Sequence, residues 1–201
     1  MPNYVYSQLY ISCEKKYKKE LIKFRDFAKG YRGGMFDEET LLDAHKFIPY
    51  PKKYLEADRL RGKLDLVRYE KDELKKAFMK KELSKEDIIA YNDDDFKDGF
   101  NSGGYNWCCS NWGTKWGFCD VSLEEEQEDE LHYSFSTAWS QICPVILKMS
   151  EMFPNLEFTY TFEEEGVAFA GEQTFFNGEM TCDDDTTEES RADRGEEGEW
   201  E

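Results

Sequence analysis

The chain has 201 residues, 35% of them charged and 16% aromatic, with a mean hydropathy of −0.81 and a formal charge of −18. The aromatic content can build a core, but so much polar surface leaves part of the chain outside one compact domain. No run approaches about 18 apolar residues, and MPNYVYSQLY lacks the basic-then-apolar order of a signal peptide; both argue against a helical membrane protein and for a cytoplasmic one.

The charge is unevenly spread. Residues 1–92 hold 21 Lys/Arg against 16 Asp/Glu, whereas residues 93–201 hold 5 against 28. An acidic half of this strength repels phosphate backbones and attracts basic surfaces, so basic proteins are the expected partners, with no direct nucleic-acid contact and no membrane. Six cysteines at irregular spacing in a chain of this length read as reduced thiols.

In chain order, VYSQLYI alternates Val5, Ser7, Leu9 and Ile11 against Tyr4, Tyr6, Gln8 and Tyr10, a period of two that predicts a strand. Ser12 is placed to cap a helix carrying Tyr17, Leu21, Phe24 and Ala28 at helical spacing, with Gly30 as its stop. The glycines of GYRGG mark a loop, because no Gly-Lys-Ser/Thr follows. Residues 51–104 read as a helical insertion, with Leu74, Phe78 and Met79 on one stripe and Ser84 and Asp87 opening a further helix. NDDDFKDGF resembles a calcium loop only superficially, since Lys97 sits at a required ligand position.

The stretch CCSNWGTKWGFCDV, residues 108–121, poses the sharpest question. Cys108, Cys109, Cys119 and His132 could supply metal ligands, but on an extended chain adjacent cysteines point apart, and no C-x-x-C pair is present. An aromatic corner built from Trp107, Trp112, Gly113, Thr114, Lys115 and Trp116, pinning a turn to the sheet, accounts for the spacing better; no metal and no cofactor are expected.

LHYSFSTA is a strand with Leu131, Tyr133 and Phe135 on one side, and Pro144 suits the first turn of a helix carrying Val145, Ile146, Met149 and Met152, which Pro154 stops. LEFTYTF alternates Leu156, Phe158, Tyr160 and Phe162, Glu165-Gly166 turns the chain, VAFAGEQTFF is a further strand, and Asn177-Gly178 signals a hairpin. From Cys182 onward the chain reads as a disordered acidic tail, with Trp200 its one unexplained residue. The order predicts an α+β fold, an antiparallel sheet with helices on one face.

Several stretches together, MPNYV, FIPYP, NWCCSNWGTKWG, FSTAWS and MFPNLEFTYTFEEEGVAFAG, resemble the YubB-type ferredoxin-like domain proteins of phages, prophages and conjugative plasmids, a family without an established activity. The resemblance covers the first strand and about residues 105–180. It implies a ferredoxin-like domain and adds Trp139 of FSTAWS to the aromatic corner; the insertion and the acidic tail fall outside it, so the chain divides as 1–50 for the first strand and helix, 51–104 for the insertion, 105–181 for the remainder and 182–201 for the tail. It implies no iron–sulfur cluster, since the name describes topology. One departure is the absence of two prolines directly after TAWS; the first proline is Pro144.

Catalytic motifs are missing: there is no H-E-x-x-H, nucleophile elbow, P-loop or dinucleotide fingerprint, so a non-enzymatic protein is expected, with no catalytic residue to name. An RNA-binding module is the topological alternative, and Tyr4, Tyr6 and Tyr10 could stack bases, although sheet-to-helix packing is the commoner use of such a face. The Glu163-Glu164-Glu165 run opposes phosphates. A small-molecule-binding or enzymatic accessory protein is a second alternative. The mobile-element setting implied by the resemblance leads to a concrete expectation: an anti-CRISPR or antirestriction protein of DNA-mimic type, occupying a basic, nucleic-acid-handling host protein. The expected acidic surface is Asp93, Asp94, Asp95 and Asp98, with Glu124, Glu125, Glu126, Glu128, Asp129, Glu130, and Glu163, Glu164 and Glu165.

Overall fold

A computed structural model describes residues 3–32, 38–69, 98–164 and 169–186. The predicted helices around Leu74 to Ile89, the NDDDFK stretch with Asp93, Asp94 and Asp95, Glu165 with its turn, and the chain from residue 187 onward lie outside the described residues. By internal contact the chain divides into one unit of residues 1–30, 39–49 and 108–201 and another of residues 31–38 and 50–107.

The first unit is built on strand β1 (Tyr4–Ser12), helix α1 (Lys18–Ala28), the hairpin β4 (Cys119–Glu126) and β5 (Glu130–Ala138), helix α5 (Cys143–Met152), and β6 (Glu157–Glu164), β7 (Phe169–Phe176) and β8 (Glu179–Thr186). Between α1 and β4 come two short paired strands, β2 (Gly30–Arg32) and β3 (Glu38–Thr40), and the short helix α2 (Ala44–Phe47). The large sheet has order β4-β5-β1-β6-β7-β8, and every neighbouring pair is antiparallel. Within it, β1-α1-β4-β5-α5-β6 is the split βαβ arrangement of a ferredoxin-like domain, here widened by the β7-β8 hairpin.

The predicted alternation decides which side of each strand is buried. Val5, Ser7, Leu9 and Ile11 are buried, as are Leu131, Tyr133 and Phe135 of β5 and Phe158, Tyr160 and Phe162 of β6. Leu21, Phe24 and Ala28 of α1 and Val145, Ile146 and Met149 of α5 are buried too. Phe24 is the hub of the core: its ring meets Phe47 at 5.9 Å, Phe153 edge-on at 5.2 Å and Phe158 edge-on at 5.4 Å. Such edge-to-face pairs contribute about 0.5–1.5 kcal/mol each beyond the area they bury.

Four expectations need correction. Ser12 ends β1 instead of capping α1; a 3₁₀ turn, Lys15–Tyr17, intervenes, and Tyr17 at the helix start supplies no side-chain cap. Met152 is exposed at the end of α5, one turn beyond the buried stripe. β8 carries the sheet past Cys182 to Thr186, because its backbone pairs with β7 even where its side chains are polar. Cys108 and Cys109 are not on extended chain: they sit on helix α4 (Tyr105–Asn111), Cys108 buried and Cys109 exposed.

In the second unit, α3 (Lys52–Tyr69) and the wide helical turn Phe100–Gly104 are joined through Asp58. Its carboxylate accepts from the Tyr50 hydroxyl at 3.1 Å and from the Phe100 amide at 2.8 Å.

Candidate functional site

Among the described residues, helices cover one side of the sheet and leave the opposite side open. β1 turns Tyr4, Tyr6, Gln8 and Tyr10 to it, and Tyr6 is 61% exposed. This overturns the expectation that the tyrosine face packs on helices, since α1 and α5 take the aliphatic face instead. Register places His132, Ser134 and Ser136 of β5 beside these residues, Thr159, Thr161 and Glu163 of β6 on the other flank, and Thr174, Glu172 and Ala170 of β7 beyond. Tyr10 stacks on His132, with centroids 4.1 Å apart and planes 14° from parallel, and His132 Nε2 lies 2.7 Å from Gln8 Oε1.

The edge strand β4 carries two bulges, one between Cys119 and Ser122 and one between Leu123 and Glu125. A bulge shifts the alternation by one residue. In consequence Glu124 and Glu125 both border the open face: the Ser134 hydroxyl donates to Glu124 at 2.5 Å, and Glu125 is the cross-strand partner of His132. Hydrogen bonds from Ser134 and Ser122 hold the Glu124 carboxyl below its usual range, so it stays ionised.

The predicted acidic surface is therefore divided. Glu126 lies opposite the inward-facing Leu131, and its carboxylate is paired with Arg25 of α1; Glu128 is paired with Lys18. These two acids are partly neutralised within the molecule. Asp129 and Glu130 belong to the β4-β5 turn and the start of β5, where the Asp129 carbonyl accepts from the Cys13 amide. Glu163 borders the open face, opposite Tyr6, whereas Glu164 is 2% exposed on the covered side and cannot belong to a surface, because adjacent strand residues point to opposite faces. Asp98, in the second unit, binds the Asn101 amide at 2.6 Å and the Asn101 side chain at 2.8 Å, a local turn function.

Residues missed in sequence are Glu157, Glu172 and Asp184. For Glu157 and Glu172 the signal was available, since each stands at the outward position of an alternating strand; Asp184 lies on β8, which does not alternate, and joins them only through its pairing with Glu172. No strand of the large sheet contains a lysine or arginine. The basic residues of this unit are concentrated on α1 instead, which carries Lys18, Lys19, Lys23 and Arg25.

The aromatic corner is only partly as expected. Trp112 is 3% exposed and donates from Nε1 to the Ile48 carbonyl at 2.9 Å, with His45 edge-on at 5.0 Å. Gly113 takes φ 80°, and Thr114, fully buried, donates to the Ala138 carbonyl at 2.7 Å. Trp107 belongs to the second unit, where its ring is edge-on to that of Tyr50 at 5.5 Å. Trp139 is 45% exposed, and Lys115 Nζ lies 4.3 Å from its ring centroid and 4.6 Å from that of Trp116. Trp116 Nε1 lies 3.1 Å from the Cys119 sulfur. The six cysteines form no disulfide, and among the described residues no group of three His, Cys, Asp or Glu side chains is arranged to hold a metal ion.

An open, antiparallel sheet of this order is a known domain type. Residues 118–200 match the ferredoxin-like domain in Api92-like protein. The matched stretch begins just before β4 and takes in β5, α5 and β6 to β8. The crystal structure of a protein api92 from Yersinia pseudotuberculosis is similar across 93% of this chain and 99% of its own, with a TM-score of 0.51 and 7% sequence identity. At that identity the likeness speaks for the fold alone. No curated protein sequence matches the chain. Among the described residues no helix is long and apolar enough to cross a membrane.

Proposed function

We propose that the chain is a non-enzymatic binding protein whose open sheet face takes a basic partner protein. One observation carries this reading: the face combines tyrosine rings with outward carboxylates, and its strands hold no lysine or arginine. Carboxylates set beside exposed aromatic rings suit arginine, which pairs with the former and stacks on the latter. In the phage and plasmid setting implied by the YubB-type resemblance, the partner is a nucleic-acid-handling host protein, and its occupation is a counter-defence. The acidic face then stands where the phosphates would lie, and the affinity falls as salt rises.

A second reading rests on Tyr4, Tyr6 and Tyr10, which are exposed as a base-stacking platform requires. Their carboxylate neighbours oppose it. The test measures binding of a labelled nona-arginine peptide and of a labelled oligouridylate to the full chain at about 0.05 and 0.15 M salt. The peptide should bind, more weakly at the higher salt, and the triple variant Glu124→Lys, Glu157→Lys, Glu172→Lys should lose at least about tenfold. Tight oligouridylate binding that depends on the tyrosines would establish the second reading instead. Absence of peptide binding would sink the first.

A further inference from the structure

The corner beside this face sets a cation over two indoles. Lys115 Nζ is 4.6 Å from the Trp116 centroid and 4.3 Å from that of Trp139, both within the roughly 6 Å over which a ring attracts a cation. The rings are held by the backbone on each side. Thr114 and Ser140 tie the turn to the end of β5, through the Ala138 carbonyl at 2.7 Å and the Gly113 carbonyl at 2.6 Å, while Thr137 donates to the Ser140 carbonyl at 2.8 Å. Trp139 takes φ 73°, a left-handed conformation that a bulky residue rarely adopts, and its ring remains 45% exposed. Its amide donates to the Asn3 carbonyl at 2.9 Å, one residue beyond the Tyr4–Ala138 pair, so the corner continues from the tyrosine end of the open face.

We propose that Trp116 and Trp139 form a clamp for one guanidinium of the basic partner, and that Lys115 occupies this clamp in the unbound chain and leaves it on binding. This rests on the function proposed above and names the group that anchors the partner. Arginine suits the clamp better than lysine, because a flat and weakly hydrated guanidinium stacks on an indole while an ammonium keeps its water. Lys115 is well placed to yield: its flexible stem lets the ammonium return to solvent, and an incoming like charge favours its departure. Trp and Arg are also the residues most often found at the energetic centre of interfaces.

The clamp predicts opposite effects from neighbouring substitutions. With the labelled nona-arginine peptide, Lys115→Ala should bind about 3- to 10-fold tighter, since an internal competitor is gone, and Trp139→Ala should bind about 3- to 10-fold weaker. Removing a positive charge would by itself favour a cationic peptide, so the deciding measurement is the pair. The gain from Lys115→Ala should vanish in the Trp139→Ala background. Circular dichroism checks that each variant is folded, and Trp139→Phe, which keeps an aromatic face, should lose less than Trp139→Ala.

A gain that persists without Trp139 shows Lys115 acting through charge alone and overturns the clamp. So does unchanged binding by Trp139→Ala while the triple glutamate reversal still abolishes it, an outcome that leaves the acidic-face reading standing. Failure of the unsubstituted chain to bind the peptide at any salt overturns both.

Discussion

Trp112→Ala should be among the most destabilising single changes in the first unit. The ring is 3% exposed, its Nε1 supplies a hydrogen bond to the Ile48 carbonyl, and it packs against the His45 ring with centroids 5.0 Å apart. Truncating a buried tryptophan to alanine costs about 3–5 kcal/mol through lost transfer energy and the cavity left behind. Leaving the Ile48 carbonyl without its donor adds to this, and water entering the cavity subtracts, so about 4 kcal/mol is the central expectation. With a urea m-value of about 2–3 kcal/mol/M, the unfolding midpoint should fall by about 1.3–2 M. Far-UV circular dichroism is the proper readout, because fluorescence would change with the loss of the indole itself. Trp112→Phe keeps most of the apolar volume but not the donor, and should lose only about 1–2 kcal/mol. A midpoint shift under about 0.5 M for Trp112→Ala would refute the reasoning, since the ring would then not be supporting the turn.

Two further expectations concern other parts of the first unit. Asp43 caps α2, accepting from the His45 amide at 2.9 Å; burial pushes its carboxyl above the usual range, against the opposing pull of His45 and Lys46. Its raised native value means that its contribution is complete below the ordinary aspartate value of about 3.9 and is lost as pH rises through the native one. Asp43→Asn keeps a good cap and does not titrate, so its stability relative to the parent should rise between about pH 4 and 7, read from urea midpoints at the two values; a pH-independent difference would exclude burial as the cause. At the β7-β8 turn Asn177 and Gly178 take φ 49° and 79°, and a Cβ at Gly178 would lie 2.8 Å from Glu151 Cγ. Gly178→Ala should therefore cost about 1–2 kcal/mol by thermal or urea unfolding, and a neutral result would show that the turn relaxes freely.

Much of the fold was legible because its signals are local. Alternation of period two fixes which side of β1, β5 and β6 is apolar, and the helical spacing of Leu21, Phe24 and Ala28 does the same for α1. The hairpin at Asn177-Gly178 needs only positive φ, which those two residue types tolerate. β8 was less legible: Thr-Cys-Asp-Asp-Asp has little strand character, and it is held by backbone pairing to β7. The candidate site was legible as a charge excess but not as a surface, because acids that are neighbours in sequence are separated in space.

By itself the sequence determined the two faces of β1, β5 and β6 and the acidic excess of the C-terminal half. Each follows from residue order alone. Only the tertiary structure decided which face the helices cover, and they took the aliphatic one, leaving the tyrosines to solvent. It also decided that Glu164 is buried while Glu163 borders the open face, that a bulge brings Glu124 and Glu125 to the same side, and that Arg25 and Lys18 of α1 reach Glu126 and Glu128. These outcomes depend on register and on contacts between segments about 100 residues apart, which no local periodicity encodes.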